Sequence, residues 1–180
     1  MRYFLAVPLP EDVKRELHKI NSALSKFKGL RFVNPDNMHL TLLFLGENGA
    51  SKKIGDLKKI KFESFLLKTS KITFFPNSGK VKLVWVELAE SDELLKLQKK
   101  LSKLFGITKP YLPHITLARV KNLSSDEKAE FFDVISNLKP LKLSIPVKNF
   151  KLYSSELTVL GPVHRVIEYF ESEPSLKLKK

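Results

Sequence analysis

Apolar positions along this chain alternate between two periods. A short run over residues 2–7, broken by Pro8 and Pro10, predicts a strand. Over residues 11–27 the apolar positions are Val13, Leu17, Ile20, Leu24 and Phe27. Those steps of three and four predict an amphipathic helix ended by Gly29. Residues 34–37 read as a turn, and 38–45 as a mostly apolar strand closed by Gly46. Residues 51–60 read as a second helix with Ser51 as its cap. Residues 64–70 and 72–75 read as two strands, 76–79 as a turn, and 80–88 as a strand containing Trp85.

The second half repeats the scheme. Ser91, Asp92 and Glu93 open a helix that runs to Phe105, with Leu94, Leu97 and Leu101 on one face and Gly106 at its end. Strand character resumes over 111–120. Ser124 and Ser125 cap a helix to about Leu138, and strands follow at 141–145, 147–153 and 163–170. Residues 172–180 are polar and Lys-rich and read as a frayed tail. Strands fall in adjacent pairs, which favours antiparallel pairing. The expected class is α+β: two pseudo-symmetric lobes, each an antiparallel sheet flanked by helices, with a cleft between them. No shift in composition marks a linker, so residues 1–180 read as one domain.

Charge and composition narrow the function classes. Lys and Arg total 32 against 19 Asp and Glu, a net charge of +13. Such a surplus favours an anionic partner such as nucleic acid or an acidic membrane surface. The absence of cysteine removes disulfides, cysteine nucleophiles and thiolate metal sites. No apolar stretch approaches the roughly 18 residues a spanning helix needs, and the N-terminus makes a poor signal peptide. A cytoplasmic protein with no membrane association is expected. Abundant Lys, one Gln and no Cys lean towards a thermophile.

One phrase occurs twice. Residues 37–44 are Asn37-Met38-His39-Leu40-Thr41-Leu42-Leu43-Phe44, and residues 112–119 are Leu112-Pro113-His114-Ile115-Thr116-Leu117-Ala118-Arg119. His-apolar-Thr-apolar thus recurs after 75 residues, close to half the chain. In a strand, alternate side chains share a face. His39 and Thr41 project together, as do His114 and Thr116, while Leu40, Leu42, Ile115 and Leu117 face the other way. Across a shared cleft, two imidazoles suit in-line phosphoryl transfer: one takes a proton from the attacking oxygen and the other gives one to the leaving oxygen. An imidazole pKa near 6.5 lets both forms coexist. The two hydroxyls can donate to non-bridging phosphate oxygens.

Duller readings apply to each piece alone. A single His on a half-buried strand is more often structural than catalytic, and short motifs misfire. A metal centre would want three or four ligands, and no carboxylate or Cys lies next to either His, so no metal or other cofactor is expected.

With the doubled phrase in hand, the sequence resembles the RNA 2′,3′-cyclic phosphodiesterase family, long called 2′-5′ RNA ligases, within the two-histidine phosphoesterases. The resemblance also takes in Arg2, Phe4, Ala6 and Leu9-Pro10, Gly46, Val84-Trp85-Val86-Glu87, Ser154 and Ser155, Leu157, and Gly161-Pro162. It implies a two-lobed fold with a basic cleft, and hydrolysis of an RNA-terminal 2′,3′-cyclic phosphate to a 2′-phosphate. His39 would be the proton donor and His114 the base; the residues by themselves leave those roles open. Thr41, Thr116 and Arg119 would bind the substrate phosphate. The implied partners are RNAs with 2′,3′-cyclic phosphate ends, tRNA fragments among them, acted on by a monomer. Two alternatives stand beside hydrolysis: 2′-5′ joining of RNA ends at the same site, and an RNA-binding module without catalysis.

Two positions depart from the family pattern. Arg31-Phe32-Val33 stands where many members have a Trp, and His164 where an aromatic such as Tyr is common. Arg119 lies an odd number of residues after His114, so a regular strand would aim it away from the site; a bulge or the strand's end would be required. Phe4 matches a family position that can stack on a base, and otherwise reads as core. Trp85 reads as core, His18 as a solvated helix position, and His164 as structural or on the rim. The helix lysines read as solvated faces able to steer RNA.

Overall fold

A computed structural model describes residues 1–47, 53–76, 80–159 and 161–174. The elements are β1 (Arg2–Pro8), α1 (Glu11–Leu24), β2 (Leu30–Phe32), a 3₁₀ turn (Pro35–Asn37), β3 (His39–Gly46), α2 (Ile54–Leu57), β4 (Phe65–Phe75) and β5 (Leu83–Leu88). They continue with α3 (Asp92–Phe105), β6 (His114–Val120), α4 (Ser125–Asn137), β7 (Ser144–Val147), β8 (Asn149–Thr158) and β9 (Gly161–Glu171).

The helices start and stop where local chemistry directs. Ser91 accepts from the Leu94 amide at the start of α3, and Gly106, at φ +68°, ends it in the left-handed region. Ser124 and Glu127 form a reciprocal capping box at α4. The expected helix over 51–60 is a single turn at Ile54–Leu57. So short a helix has little beyond its nucleating turn, and Ser51, its expected cap, lies outside the described residues, as do 77–79 of the expected turn and 175–180 of the tail. The two strands expected at 64–75 are one, β4. Its exposed Ser70 and Lys71 fall where the pairing with β5 shifts register between Thr69 and Ile72.

The strands form one sheet in the order β7-β4-β5-β6-β3-β1-β8-β9, with β2 on β6. All its named strand pairs are antiparallel. The order is symmetric about its centre: β6 mirrors β3, β5 mirrors β1, β4 mirrors β8 and β7 mirrors β9. Each half is an antiparallel lobe built around one copy of the doubled phrase. The outer strands are exchanged in sequence: β4 precedes the second phrase but flanks it, and β8 and β9 follow it but extend the first lobe. A single registered pair, Leu40 with Ile115, joins the halves.

Leu40, Leu42, Ile115 and Leu117 belong to one core with Val13, Leu17, Ile20 and Leu24 of α1 and Leu94, Leu97 and Leu101 of α3. Burying a Leu or Ile side chain stabilises by about 1.5–3 kcal/mol, and a one-residue slip would turn the apolar set to solvent. The helix-covered face thereby sets the opposite face, which carries the histidines.

Candidate active site

The central bridge arranges four side chains. Carried one residue either way from the Leu40–Ile115 pair, antiparallel register sets His39 opposite Thr116 and Thr41 opposite His114, all on the uncovered face. The two histidines are therefore diagonal neighbours, a separation of about 7–8 Å in such a ladder and somewhat less between Cβ atoms.

Both rings are oriented by the same device. His39 Nδ1 lies 2.7 Å from the Asn37 carbonyl, and His114 Nδ1 lies 2.7 Å from the Leu112 carbonyl. A carbonyl only accepts, so each Nδ1 carries the proton and each Nε2 is left for chemistry. In His39, Nε2 meets the Thr41 hydroxyl at 3.0 Å. Aromatic rings back both imidazoles. Phe4 stacks on His39 with centroids 4.8 Å apart, and Trp85 packs on His114 at 4.2 Å with Phe75 stacked behind it. Tyr111 donates to the Thr41 carbonyl at 3.2 Å, tying the approach to the second phrase onto β3.

Each phrase contains a bulge at the same place. In β3, Leu5 pairs with Leu43 and Ala6 with Thr41, leaving Leu42 as the extra residue. In β6, Val84 pairs with Ala118 and Trp85 with Thr116, leaving Leu117 extra. A bulge resets the alternation. Arg119 consequently pairs with Leu83, which shares its face with Trp85 and Glu87, the partners of Thr116 and His114. The odd spacing that argued against Arg119 is thereby removed, and the residue is exposed on the histidine face.

The same reset at Leu42 brings Phe44 onto the face of His39 and Thr41. Phe44 is 69% exposed, whereas Phe4, the residue read as a base-stacking candidate, is 3% exposed. Phe4 is enclosed by Phe44, Tyr153, His39 and His164. That position agrees with the core reading of Phe4, which supports the His39 ring from below, and Phe44 is the ring that offers a face to solvent. Trp85, at 6%, is buried as expected, though as the support of His114. His18 is exposed on α1.

His164 lies closer to the chemistry than its place in the sequence suggests. Its ring lies 5.5 Å from His39 edge to face, although β1 and β8 intervene between their strands. Three strand spacings on a flat sheet would separate them by about 14 Å. The sheet therefore curls over this face and brings the β8–β9 hairpin up as a wall, where Asn37 Nδ2 donates to the Pro162 carbonyl at 2.9 Å. His164 Nδ1 is buried with no hydrogen-bond partner among the described residues.

The enclosure shifts protonation. His39 is lowered to about 4, chiefly by desolvation, with smaller contributions from His164 and His114 and an opposing one from the Asn37 carbonyl. Burial also lowers His114 and His164. Desolvation, aided by Tyr169, pushes Tyr153 up to about 12. No group of three or more His, Cys, Asp or Glu that could hold a metal ion occurs among the described residues. No helix among them is long and apolar enough to cross a membrane.

Comparison with known proteins places this arrangement. The family described as LigT like Phosphoesterase matches the chain twice, over residues 7–85 and 86–164. The RNA 2′,3′-cyclic phosphodiesterase of Methanocaldococcus jannaschii is 35% identical over 93% of this chain and 99% of its own length. That of Archaeoglobus fulgidus is 33% identical over 95% and 100%. Among solved structures, TT0787 of Thermus thermophilus superposes with a TM-score of 0.78 at 32% identity, covering 95% of this chain and 97% of that one. Escherichia coli LigT complexed with 3′-AMP shares the fold, with a TM-score of 0.78 at 24% identity over 96% and 98%. The chain belongs to the LigT-like phosphoesterases, and each of the two matches contains one copy of the doubled phrase.

Proposed function

We propose that this family member hydrolyses the 2′,3′-cyclic phosphate at an RNA terminus to a 2′-phosphate, without a metal, using His39 and His114 as the proton-transfer pair. The observation that carries the reading is the diagonal placement of the two imidazoles on one sheet face, each with Nδ1 held by a backbone carbonyl and Nε2 left for chemistry. The names of relatives at 33–35% identity over nearly the whole chain support the substrate class.

The steps balance simply. His114 Nε2 takes a proton from water as the water oxygen bonds to phosphorus. The bond from phosphorus to O3′ breaks, and O3′ takes a proton from His39 Nε2. The product is a 2′-phosphate with a free 3′-hydroxyl, and the imidazoles return to their starting forms by exchange with solvent. Thr41 and Thr116 donate to the non-bridging oxygens, where charge develops. Desolvation by itself favours the neutral form of His39. The substrate's negative charge works in the opposite direction and favours the imidazolium His39 needs as a donor. Phe44 offers a ring for the terminal base to stack on.

Adenosine 2′,3′-cyclic phosphate tests the reading, with EDTA present and the product isomer identified. Turnover to the 2′-phosphate is expected, and His39→Ala and His114→Ala should each lower it by about 10²–10⁴-fold. A substrate with sulfur in place of O3′ needs no proton on its leaving group. It should restore His39→Ala and leave His114→Ala impaired; the reverse pattern would exchange the two roles. Full turnover in both variants would remove the catalytic claim.

A further inference from the structure

The histidine face carries two arginines at one end. Arg31 on β2 stands directly opposite Arg119 on β6, flanked by the pairs Leu30 with Val120 and Phe32 with Ala118. Paired residues share a face, so Arg31 joins Arg119, Thr116 and His114 on the uncovered side. Both arginines are exposed. Like charges directly opposite on neighbouring strands destabilise a sheet. Such a local conflict between side chains and fold is expected at functional sites. Arg119 has no ion pair among the described residues, and Glu87, at the far end of β5 opposite His114, is engaged by Lys71 at 3.6 Å.

Arg31 is also positioned from the other side. The hairpin wall brings Gly161, at φ +126°, so close that a Cβ there would lie 3.1 Å from Arg31 Nη2. The same hairpin end is tied to Asn37, two residues before His39. Two arginines therefore stand on neighbouring strands at the edge of the cleft, and a guanidinium's planar fork suits a phosphate's oxygens. Strand rise of about 3.3 Å per residue puts Arg119 no more than about 10 Å beyond Thr116. An arginine's length covers much of that distance, so the pair reaches the next link of a chain whose end reacts between the histidines.

We propose that Arg31 and Arg119 form a second anion site that holds the phosphodiester preceding the reacting terminus, so that an RNA chain end is a better substrate than a free mononucleotide. This rests on the reading of His39 and His114 given above. It differs from the phosphate contact first ascribed to Arg119 in assigning the pair to the neighbouring, unreacting phosphate and in requiring Arg31.

The test uses three substrates: adenosine 2′,3′-cyclic phosphate, an adenosine dinucleotide ending in the same cyclic phosphate, and that dinucleotide with a neutral methylphosphonate linkage. In the wild-type protein the charged linkage should raise kcat/KM over the neutral one by about tenfold, the size of one charge-assisted hydrogen bond. In Arg31→Gln the ratio should fall to about twofold, and Arg31→Lys, which keeps the charge and reports on folding, should lie between. A wild-type ratio near one, or an unchanged ratio in Arg31→Gln, overturns the second site while turnover of the mononucleotide leaves the phosphodiesterase reading standing. No turnover of any of the three substrates overturns both.

Discussion

Acidification should weaken the fold through His39, by an amount the structure sets. An imidazole in the unfolded chain titrates near 6.5. In the native protein His39 is lowered to about 4, because Phe4, Tyr153 and His164 displace water from its ring. The native state thus binds fewer protons than the unfolded state between those values. Stability is full above pH 6.5 and is lost as pH falls through 6.5 towards 4. From pH 7.5 to 4.5 the two titrations differ by nearly two pKa units' worth of free energy, about 2.5 kcal/mol at 1.36 kcal/mol per unit. The ring keeps some contact with the cleft, which trims the loss to about 2 kcal/mol. That is a large fraction of the 5–15 kcal/mol typical of a domain.

Urea unfolding at both pH values would measure it, with His39→Gln as the comparison. Glutamine does not titrate, so the variant should lose about 2 kcal/mol less over the interval. His114 and His164, also lowered by burial, act in the same direction in both proteins and cancel. Parallel losses in wild type and variant would show that His39 is not held neutral by its surroundings, and the account of the enclosed imidazole would fail.

Four further substitutions test particular contacts. His164→Gln removes a positive charge that faces His39 when protonated, so the His39 pKa should rise; NMR titration of the ring protons reads it, and a fall would contradict the edge-to-face contact. Phe4→Ala should cost about 3–5 kcal/mol of stability by opening a cavity. Phe44→Ala should change stability by less than about 1 kcal/mol and raise KM for adenosine 2′,3′-cyclic phosphate roughly tenfold through lost stacking; urea melts and steady-state kinetics separate the pair. Gly161→Ala should lower stability by about 1–3 kcal/mol, since φ of +126° is strained for any side chain, and its Cβ would press on Arg31. A melting curve matching wild type would refute that contact.

Much of the site can be read from one dimension. Period-two alternation in His39–Thr41 and His114–Thr116 is a local property of a strand, and it settles which side chains share a face before any partner strand is known. The same local logic locates α3 and α4, whose caps lie in the adjoining residues. Arg119 shows the boundary of that logic. Its odd spacing calls for a bulge or the strand's end, and the bulge falls at Leu117 because Thr116 pairs with Trp85 and Ala118 with Val84, a register that belongs to β5. Phe44 is hidden in the sequence by the same cause, acting at Leu42 through β1.

What only tertiary structure decided is everything that depends on curvature and on strands distant in sequence. Nothing near His164 announces that β9 bends over β1 and β8 to reach His39. Nothing near residues 30–32 announces a three-residue strand, because β2 exists only where β3 leaves the edge of β6 open. Side-chain period is encoded residue by residue. Which strand lies alongside, and how far the sheet curls, is encoded in the balance of twist and packing over the whole chain, and that balance brought a third imidazole and a second arginine to the paired histidines.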